Sequence, residues 1–487
     1  MTDIKYTSTR DTSVDVDSAT AVINGISADG GLYVPKTFPK LNVSDFFGLD
    51  YVKRADKVLS EFFGFDTSGI ANAAYSTFDG EPAPVVKLDD NLFVLELWHG
   101  RTHAFKDMAL SVLPHLLVRA KADKGESAET LVLVATSGDT GKAALEGFKD
   151  VDGTQVCVFY PTDGVSKVQK LAMQTQGGDN VCSVGITGNF DDAQTAVKAA
   201  FSDESLKTAL KANNISMSSA NSINIGRLVP QIAYYFSAYA DLVDSGEIKN
   251  GEEIDFVVPT GNFGNILAGY YAKKMGLPVN KLVCASNKNN ILFDFITTGA
   301  YDTNREFFKT ESPSMDILVS SNLERLLFEM SGGDARLTAQ RMAELKSTGR
   351  YNVSAEEIER IRDIFACDYA DDEVAEDAIA DMFDEYGYLI DTHTATAYAA
   401  ARRREFLRPT VVVSTANPYK FAPAVMSALG ENVSGEATEK MLCDMEELTA
   451  MDAPDSLKEV FDAEVRFNDV ISPSGIIGYV KEKYGNK

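Results

Sequence analysis

The stretch Trp98-His99-Gly100-Arg101-Thr102-His103-Ala104-Phe105-Lys106-Asp107 directly follows a strand-like run, Leu92–Leu97, and places one lysine among apolar neighbours and a carboxylate. A lone lysine is usually a solvated surface residue. Here the preceding strand and Ala104-Phe105 predict burial, and burial lowers the pKa of a lysine from about 10.4. A neutral amine is the form that attacks an aldehyde. The stretch therefore predicts a reactive lysine, Lys106, just after a strand.

Two glycine-rich turns also follow strand-like runs and open helical stretches. They are Thr136-Ser137-Gly138-Asp139-Thr140-Gly141 and Pro259-Thr260-Gly261-Asn262-Phe263-Gly264-Asn265. Backbone N–H groups at a helix N-terminus bind anions. The first turn fits a small carboxylate, because Asp139 would repel a polyphosphate, and the second can wrap a single phosphate. A buried lysine beside such turns is what an aldehyde cofactor with a phosphate requires, so pyridoxal phosphate (PLP) is the leading hypothesis.

Nucleotide cofactors and metals fit these motifs less well. A P-loop needs glycine five residues before the Gly-Lys pair and Ser or Thr after it; those positions hold Thr136 and Ala143. The dinucleotide pattern G-x-G-x-x-G is absent from the second turn, so NAD is not indicated. His99 and His103 are four residues apart, but Gly100 between them argues against a helix, and we expect no metal site.

The overall charge of the chain is strongly negative. Lys and Arg total 46 against 72 Asp and Glu, which gives a formal net charge of −26 at pH 7. Such a field repels nucleic acid and anionic lipid, so we expect neither as a partner. An anionic substrate would need a locally positive pocket.

Cysteine usage and the N-terminus bear on the compartment. The five cysteines are scattered without C-x-x-C spacing, which argues against a disulfide framework or a zinc site. The first residues lack a basic region followed by an apolar stretch, and no apolar run approaches the roughly 20 residues that span a bilayer. We expect a soluble cytoplasmic protein; the sequence leaves open whether it is a monomer or a homodimer.

From about residue 130, β-branched runs alternate with amphipathic helical stretches, a pattern typical of parallel sheets covered on both faces. Strand-like runs lie at 131–135, 156–159, 181–184, 255–258, 281–285 and 411–413, and helical stretches at 143–149, 165–174, 191–202 and 265–275. The pattern predicts an α/β protein of two parallel-sheet units with a ligand crevice between them.

At 487 residues the chain should divide into two or three domains. We expect an N-terminal module at 1–88, a small α/β unit at 126–229, and a large cofactor-binding unit formed by 89–125 and 230–487. An acidic, helical stretch at about 330–390 is most simply a solvated insertion in the large unit.

The lysine motif and the two turns, in this order, resemble the PLP enzymes of the tryptophan-synthase-β fold type. Within that group they resemble the threonine synthases of the longer form, which have an N-terminal module. The matching motifs run nearly end to end: Asp29-Gly30-Gly31-Leu32-Tyr33-Val34-Pro35, Phe105-Lys106-Asp107, Ala135–Gly141, Tyr160-Pro161, Val165–Gln169, Ser219–Arg227, Pro259–Asn265 and Ser414–Phe421. Arg101 departs from the family, which usually has proline there; this affects loop stiffness or phosphate affinity rather than the reaction class.

The resemblance implies a role for each matching residue. Lys106 would form the Schiff base with the cofactor and later move protons, and Thr415 would hydrogen-bond the pyridine nitrogen. The cofactor phosphate would be held by Gly261, Asn262, Phe263, Gly264 and Asn265. The substrate α-carboxylate would be bound by Ser137, Gly138, Asp139 and Thr140. The candidates for the substrate phosphate, each of which could instead be an ordinary surface or capping residue, are Lys167, Asn221 and Arg227.

The reaction implied is the conversion of O-phospho-L-homoserine and water to L-threonine and phosphate, the last step of threonine biosynthesis. It would proceed by γ-elimination followed by addition of water at Cβ. Three alternatives stay open at this point. They are a PLP-dependent serine/threonine dehydratase or β-replacing enzyme of the same fold, a nucleotide-binding protein that uses the Gly138–Lys142 turn, and a regulatory amino-acid-binding protein in which Lys106 is idle.

Overall fold

The computed structural model describes residues 4–136, 138–163 and 165–485. Within these ranges no helix combines the length and apolar composition needed to cross a membrane.

Helices and strands alternate along most of the described chain. The strands are β1 Tyr6–Ser8, β2 Tyr33–Pro35, β3 Val85–Asp89, β4 Leu92–Glu96, β5 Glu129–Ala135, β6 Thr154–Pro161, β7 Val181–Ile186, β8 Ile215–Ser218, β9 Ile254–Pro259, β10 Val279–Ser286, β11 Ala300–Asp302, β12 Arg350–Asn352, β13 Phe365–Tyr369, β14 Thr410–Ser414 and β15 Val470–Ile471. The α-helices are α1 Ser18–Asn24, α2 Tyr51–Phe62, α3 Ile70–Tyr75, α4 Asp107–Leu110, α5 Leu113–Asp123, α6 Asp139–Phe148, α7 Lys167–Gln174, α8 Phe190–Ser202, α9 Glu204–Ala212, α10 Ile225–Leu228, α11 Ile232–Asp244, α12 Gly264–Met275, α13 Ile291–Thr298, α14 Leu323–Met330, α15 Ala335–Thr348, α16 Ala355–Ile364, α17 Asp372–Tyr386, α18 Thr392–Arg402, α19 Ala422–Ala428, α20 Glu439–Thr449, α21 Asp455–Lys458 and α22 Ile476–Tyr484. Short 3-10 turns lie at Val43–Phe46, Val229–Gln231, Pro313–Met315, Pro418–Phe421, Glu459–Phe461 and Pro473–Gly475.

The larger sheet has the strand order β13-β10-β9-β14-β4-β3. All its neighbouring strands are parallel except β3, which runs antiparallel to β4 at one edge. The three central strands are buried along their whole length, because helices cover both faces. The strand-like runs expected at 92–97, 255–258, 281–285 and 411–413 are confirmed as β4, β9, β10 and β14.

The smaller sheet has the order β15-β7-β6-β5-β8 and is parallel throughout. The runs expected at 131–135, 156–159 and 181–184 are confirmed as β5, β6 and β7. The helices expected between and after these strands are also present, as α6, α7 and α8. The α/β expectation of two parallel-sheet units is thus met, with one antiparallel edge strand.

Three features of the structure bear on the expected division into units. Residue 88 lies inside β3, so the N-terminal module ends before the large sheet begins. The module also shares one continuous apolar core with α5, α11 and α12. Strand β15, near the C-terminal end of the described residues, pairs with β7, and α22 packs on the small sheet.

The acidic stretch at 330–390 is more than a solvated insertion. Its strand β13 pairs with β10 and forms the edge of the large sheet. Its helix α17 buries Ala375, Ala378, Ile379 and Met382 in the core on one face of that sheet. The carboxylates of α17 lie on its outer face. The acidic composition of the stretch therefore did not indicate that the opposite face of the helix is buried.

Candidate active site

Three of the motifs expected to form the site lie at the carboxyl ends of three neighbouring strands of the large sheet. The Lys106 segment follows β4, Thr415 follows β14, and the Gly261–Asn265 loop follows β9. Because β9, β14 and β4 are adjacent and parallel, their ends meet at one edge. Ligands bind at this edge in open α/β sheets.

The Lys106 segment is held against the residues that follow β14. The backbone N–H of Phe105 donates to the carbonyl of Thr415 at 2.8 Å, and Asn417 N–H donates to the carbonyl of His103 at 3.0 Å. Ala104 and Ala416 form a β-bridge between the two segments. His103 has a positive φ of 53°, which turns the chain into this pairing. Lys106 and Thr415 are therefore fixed relative to each other by backbone hydrogen bonds.

Lys106 is nearly buried, with a side chain 12% exposed. Its Nζ donates to Ser314 Oγ at 2.9 Å and lies 3.6 Å from Asp139 Oδ2. Burial lowers the pKa of Lys106, Asp139 opposes that shift, and Lys420 and Arg227 lower the pKa further. This is the direction that favours the neutral amine, as a Schiff-base lysine requires.

The loop after β9 presents uncapped backbone donors. Phe263 adopts the left-handed conformation, with φ of 62°, directly before α12, and no side chain caps that helix. Gly261 lies so close to Ser314 that a Cβ would come within 2.7 Å of the Ser314 carbonyl oxygen. Asn265 Oδ1 accepts from Tyr234 and Tyr235, and its buried Nδ2 has no partner among the described residues. The loop can therefore receive an anion on the helix dipole.

The turn after β5 places Asp139 between two lysines. Lys420 Nζ lies 2.9 Å from Asp139 Oδ1, and its side chain is only 9% exposed. Burial alone would raise the pKa of Asp139, but Lys420 and Lys106 outweigh it and hold that pKa well below its usual range. Gly138 and Thr140 flank Asp139 at the N-terminus of α6, where Thr136 Oγ1 accepts from the backbone N–H groups of Gly138 and Gly141. Ser137 lies outside the described residues.

The three candidates for the substrate phosphate occupy different environments. Arg227 is buried; its Nη1 donates to the carbonyl of Ala220 at 2.9 Å, while its Nε has no partner in the described ranges. Burial lowers the pKa of Arg227 to about 10. Lys167 and Asn221 are both exposed, and the described structure records no hydrogen bond or ion pair from either to Lys106 or Asp139. The charge of Arg227 contributes to the lowered pKa of Lys106.

The structure adds site residues that the sequence did not single out. Lys420 pairs with Asp139, and Ser314 bonds Lys106 although the two are 208 residues apart in the chain. His393 accepts a hydrogen bond from the backbone N–H of Ser314 at 3.2 Å. Lys420 belongs to the family motif Ser414–Phe421, but the resemblance assigned it no role. Nothing in the sequence around Ser314 indicated that this residue contacts the site.

A cavity of about 770 Å³ opens beside Lys420 and Asp139. Its wall carries basic side chains together with carboxylates, and it runs between α6, α7 and the segment at 456–463. The charged residues that line it include Arg101, Lys142, Lys149, Asp107 and Glu146. In the described part of the chain no group of three or more His, Cys, Asp or Glu side chains could hold a metal ion.

These residues fit PLP. A nearly buried lysine of lowered pKa, the uncapped N-terminus of α12 and the unpartnered amide of Asn265 converge on one edge of the sheet. Lys106 would carry the aldehyde carbon, the loop from Gly261 to Asn265 would hold the phosphate, and Thr415 would face the ring.

Three family models match the chain in succession. Residues 5–73 match the model described as threonine synthase N terminus, residues 78–416 the pyridoxal-phosphate dependent enzyme model, and residues 394–474 the model described as threonine synthase, C-terminal.

Curated relatives and solved structures agree with these models. The chain is 41% identical to human threonine synthase-like 1 over 84% of its own length but spans only 57% of that protein. It is 38% identical to Pseudomonas aeruginosa threonine synthase, over 87% of this chain and 90% of the relative. The PLP-bound threonine synthase from Brucella melitensis superposes with a TM-score of 0.88 at 36% identity, covering 99% of this chain and 100% of that chain.

Proposed function

Because the chain belongs to the threonine synthase family of PLP-dependent enzymes, we propose that it converts O-phospho-L-homoserine and water to L-threonine and phosphate. The observation that carries the proposal is the position of Lys106. It lies between an anion-binding loop and the Asp139–Lys420 pair, with its pKa lowered mainly by burial.

In the proposed reaction the residues of this chain bind, orient and move protons. PLP, when bound, supplies an electron sink that stabilises negative charge at the substrate Cα. Lys106 Nζ holds the cofactor and then, as a neutral amine, takes and returns protons of the substrate. Asp139 stays ionised and keeps Lys420 beside Lys106, and the positive charge of Lys420 helps to keep the pKa of Lys106 low.

The proposed substrate lies in the crevice with its two anionic ends in separate places. The α-carboxylate meets the start of α6 beside Gly138, where the backbone N–H of Gly138 itself already donates to Thr136 Oγ1 and that of Thr140 is the nearer candidate donor. The leaving phosphate meets Arg227, whose buried Nε has no partner among the described residues and can donate. Lys167 and Asn221 are exposed, so they could contact the phosphate only from the solvent-facing edge of the crevice. A phosphate held by a buried guanidinium is stabilised more strongly than in water, which favours its departure.

A direct assay tests the proposal. The purified protein, loaded with PLP, is expected to release phosphate and form threonine from O-phospho-L-homoserine, and to leave unphosphorylated homoserine unconverted. Losing the phosphate removes both the leaving group and binding energy that is needed at the reacting centre. Equal conversion of homoserine, or threonine formation without phosphate release, would contradict the proposal.

Labelling of the lysine tests the assignment of Lys106. Borohydride reduction of the PLP-loaded protein, followed by peptide mapping, is expected to place the label on Lys106, and Lys106→Ala is expected to abolish both label and turnover. Lys142 is the matched control, because it is also a mostly buried lysine of lowered pKa in the same crevice. A label on Lys142 or Lys167 would show the assignment to be wrong. An unlabelled protein would favour the nucleotide-binding or regulatory alternatives.

A cytoplasmic location is part of the proposal. All five cysteines are free thiols. Free thiols fit a reducing compartment.

A further inference from the structure

Ser314 connects Lys106 to the loop formed by Gly261–Asn265 (the glycine loop). Its hydroxyl accepts a hydrogen bond from Lys106 Nζ at 2.9 Å. Its carbonyl oxygen lies against Gly261, at the position where a Cβ on that residue would come within 2.7 Å. A shift of Ser314 would therefore change the spacing between the lysine and the loop.

The backbone of Ser314 is held by a buried histidine and a buried aspartate. Ser314 N–H donates to His393 Nε2 at 3.2 Å, and His393 Nδ1 lies 2.7 Å from Asp391 Oδ2. An N–H donor requires Nε2 to be without a proton, so the ring carries its proton on Nδ1 and donates it to Asp391. The carboxylate thus keeps the ring in the tautomer and orientation that Ser314 needs.

The same carboxylate also reaches Thr415. Asp391 Oδ1 accepts from the backbone N–H and the hydroxyl of Thr394. Thr394 Oγ1 in turn accepts from the backbone N–H of Thr415 at 3.2 Å. Asp391 is fully buried, so each of its oxygens depends on these partners. Asp391 Oδ2 is therefore connected through His393 and Ser314 to Lys106 and the glycine loop. Asp391 Oδ1 is connected through Thr394 to Thr415.

We propose that Asp391 and His393 are positioning residues that set the distances among Lys106, the glycine loop and Thr415. This inference rests on PLP binding as stated in the proposed function. His393 acts through Ser314, and Asp391 acts through His393 and Thr394. Without the imidazole acceptor the Ser314 N–H is left unpaired, and the turn must move to satisfy it. Movement of a reacting group by about 1 Å is enough to slow its reaction substantially.

The test measures how fast the apoprotein couples to PLP, a readout separate from turnover. Apoprotein is mixed with PLP, samples are reduced with borohydride over time, and the label on Lys106 is quantified by mass spectrometry. His393→Phe keeps the edge-on ring packing with Phe421 but loses the acceptor. We expect it to slow coupling about tenfold or more, because the loss of the hydrogen bond that holds Ser314 lets Lys106 shift relative to the loop.

Two variants separate positioning from a general loss of packing. His393→Gln offers an amide oxygen that can accept from Ser314, so we expect its coupling rate to recover to within about threefold of wild type. Thr392→Val is the matched control. The Thr392 hydroxyl donates to the carbonyl of Glu311 at 2.8 Å and so anchors the segment that contains Ser314. It makes no hydrogen bond to Ser314 in the described structure. We expect Thr392→Val to couple at the wild-type rate.

Each outcome decides the inference. Coupling at the wild-type rate in His393→Phe, equal slowing in Thr392→Val, or no recovery in His393→Gln would overturn it. If His393→Phe does not fold, His393→Asn replaces it, because that amide is too short to reach Ser314 and the same slowing is expected. A wild-type protein that couples PLP but does not convert O-phospho-L-homoserine would contradict the proposed function and leave this inference standing.

Discussion

Arg227 is a buried cation with unused hydrogen-bonding capacity. Its Nη1 is occupied by the carbonyl of Ala220, and its Nε has no partner among the described residues. A guanidinium in this state is suited to a phosphate, to which it can present parallel donors. Its burial makes the contact stronger than one at the surface, because less water competes for the anion.

Replacement of Arg227 tests this role. Arg227→Ala is expected to lower kcat/KM for O-phospho-L-homoserine by about 10- to 100-fold, the value of a hydrogen bond to a charged group. Any slow reaction of serine or threonine at the same site should change much less, since these substrates lack the phosphate. Arg227→Lys keeps the charge and serves as the control for loss of the fork geometry. Equal losses on both kinds of substrate would show that Arg227 is structural.

His103 makes the stability of the protein sensitive to acid. Burial, with help from Lys420, lowers the pKa of His103 from 6.5 to about 3. Between these values the unfolded chain binds a proton that the folded chain does not, so the free energy of unfolding falls as the pH falls. The neutral ring hydrogen-bonds Ser456 at 2.5 Å, which ties the Lys106 segment to α21.

His103→Asn removes the titrating ring and suits the positive φ of this position. On moving from pH 7 to pH 5, we expect the wild-type free energy of unfolding to decrease by about 2 kcal/mol more than that of the variant. Urea unfolding at the two pH values measures the difference. Parallel pH dependence of the two proteins would show that His103 is already protonated in the fold at pH 5.

At the scale of elements, the loop between β9 and α12 depends on one close backbone contact. A Cβ at Gly261 would come within 2.7 Å of the Ser314 carbonyl oxygen, and that atom belongs to backbone that cannot move freely. A Cβ at Gly264 would meet Asn322 Nδ2 at 3.5 Å and Gln231 Nε2 at 3.9 Å, both ordinary contacts with side chains. A side chain at position 261 would therefore clash with backbone, whereas one at position 264 would not.

We expect Gly261→Ala to destabilise the apoprotein by about 1–3 kcal/mol, as overpacking typically does. It should also weaken PLP binding, because the loop and Ser314 must separate. Gly264→Ala is the control for apoprotein stability and should change the free energy of unfolding by less than about 1 kcal/mol. Thermal or denaturant unfolding of the two apoproteins measures both values. Equal free energies of unfolding for the two variants would mean that the loop moves away from Ser314 without destabilising the protein.

At the scale of the whole molecule, a strongly negative protein would have to attract the doubly anionic substrate that we propose. The formal net charge is −26 at pH 7, yet the crevice carries Lys420, Arg227 and two helix N-termini. The long-range field opposes the encounter, and the local pocket favours binding.

We expect moderate salt to raise kcat/KM for O-phospho-L-homoserine slightly or to leave it unchanged. Salt screens the outer repulsion over a Debye length of about 8–10 Å, whereas the buried contacts are screened much less. Steady-state kinetics between low and physiological ionic strength measure the effect. A steep fall in kcat/KM with rising KM and constant kcat would show attractive steering by a basic funnel, with Arg101 as the first residue to test.

The strands of the molecule carry a clearer signal in the sequence than its division into units. Runs such as Val411-Val412-Val413 are recognisable locally, because a strand buried on both faces must be continuously apolar. The pairing partner of β15 has no local signal, since two residues, Val470 and Ile471, do not form a recognisable pattern. We propose that the small unit comprises the expected segment at 126–229 together with the C-terminal β15 and α22, which share its core.

The sequence by itself determined the strands that end at the site, the lysine that follows β4 and the glycine turns that open α6 and α12. These features are local, because hydrophobic periodicity and turn residues act over a few positions. Tertiary structure alone decided that Lys420 pairs with Asp139, that Ser314 bonds Lys106, and that His393 supports Ser314. Such contacts join residues from 79 to more than 200 positions apart, and strand order and loop path bring them together. No short-range pattern in the chain records that order.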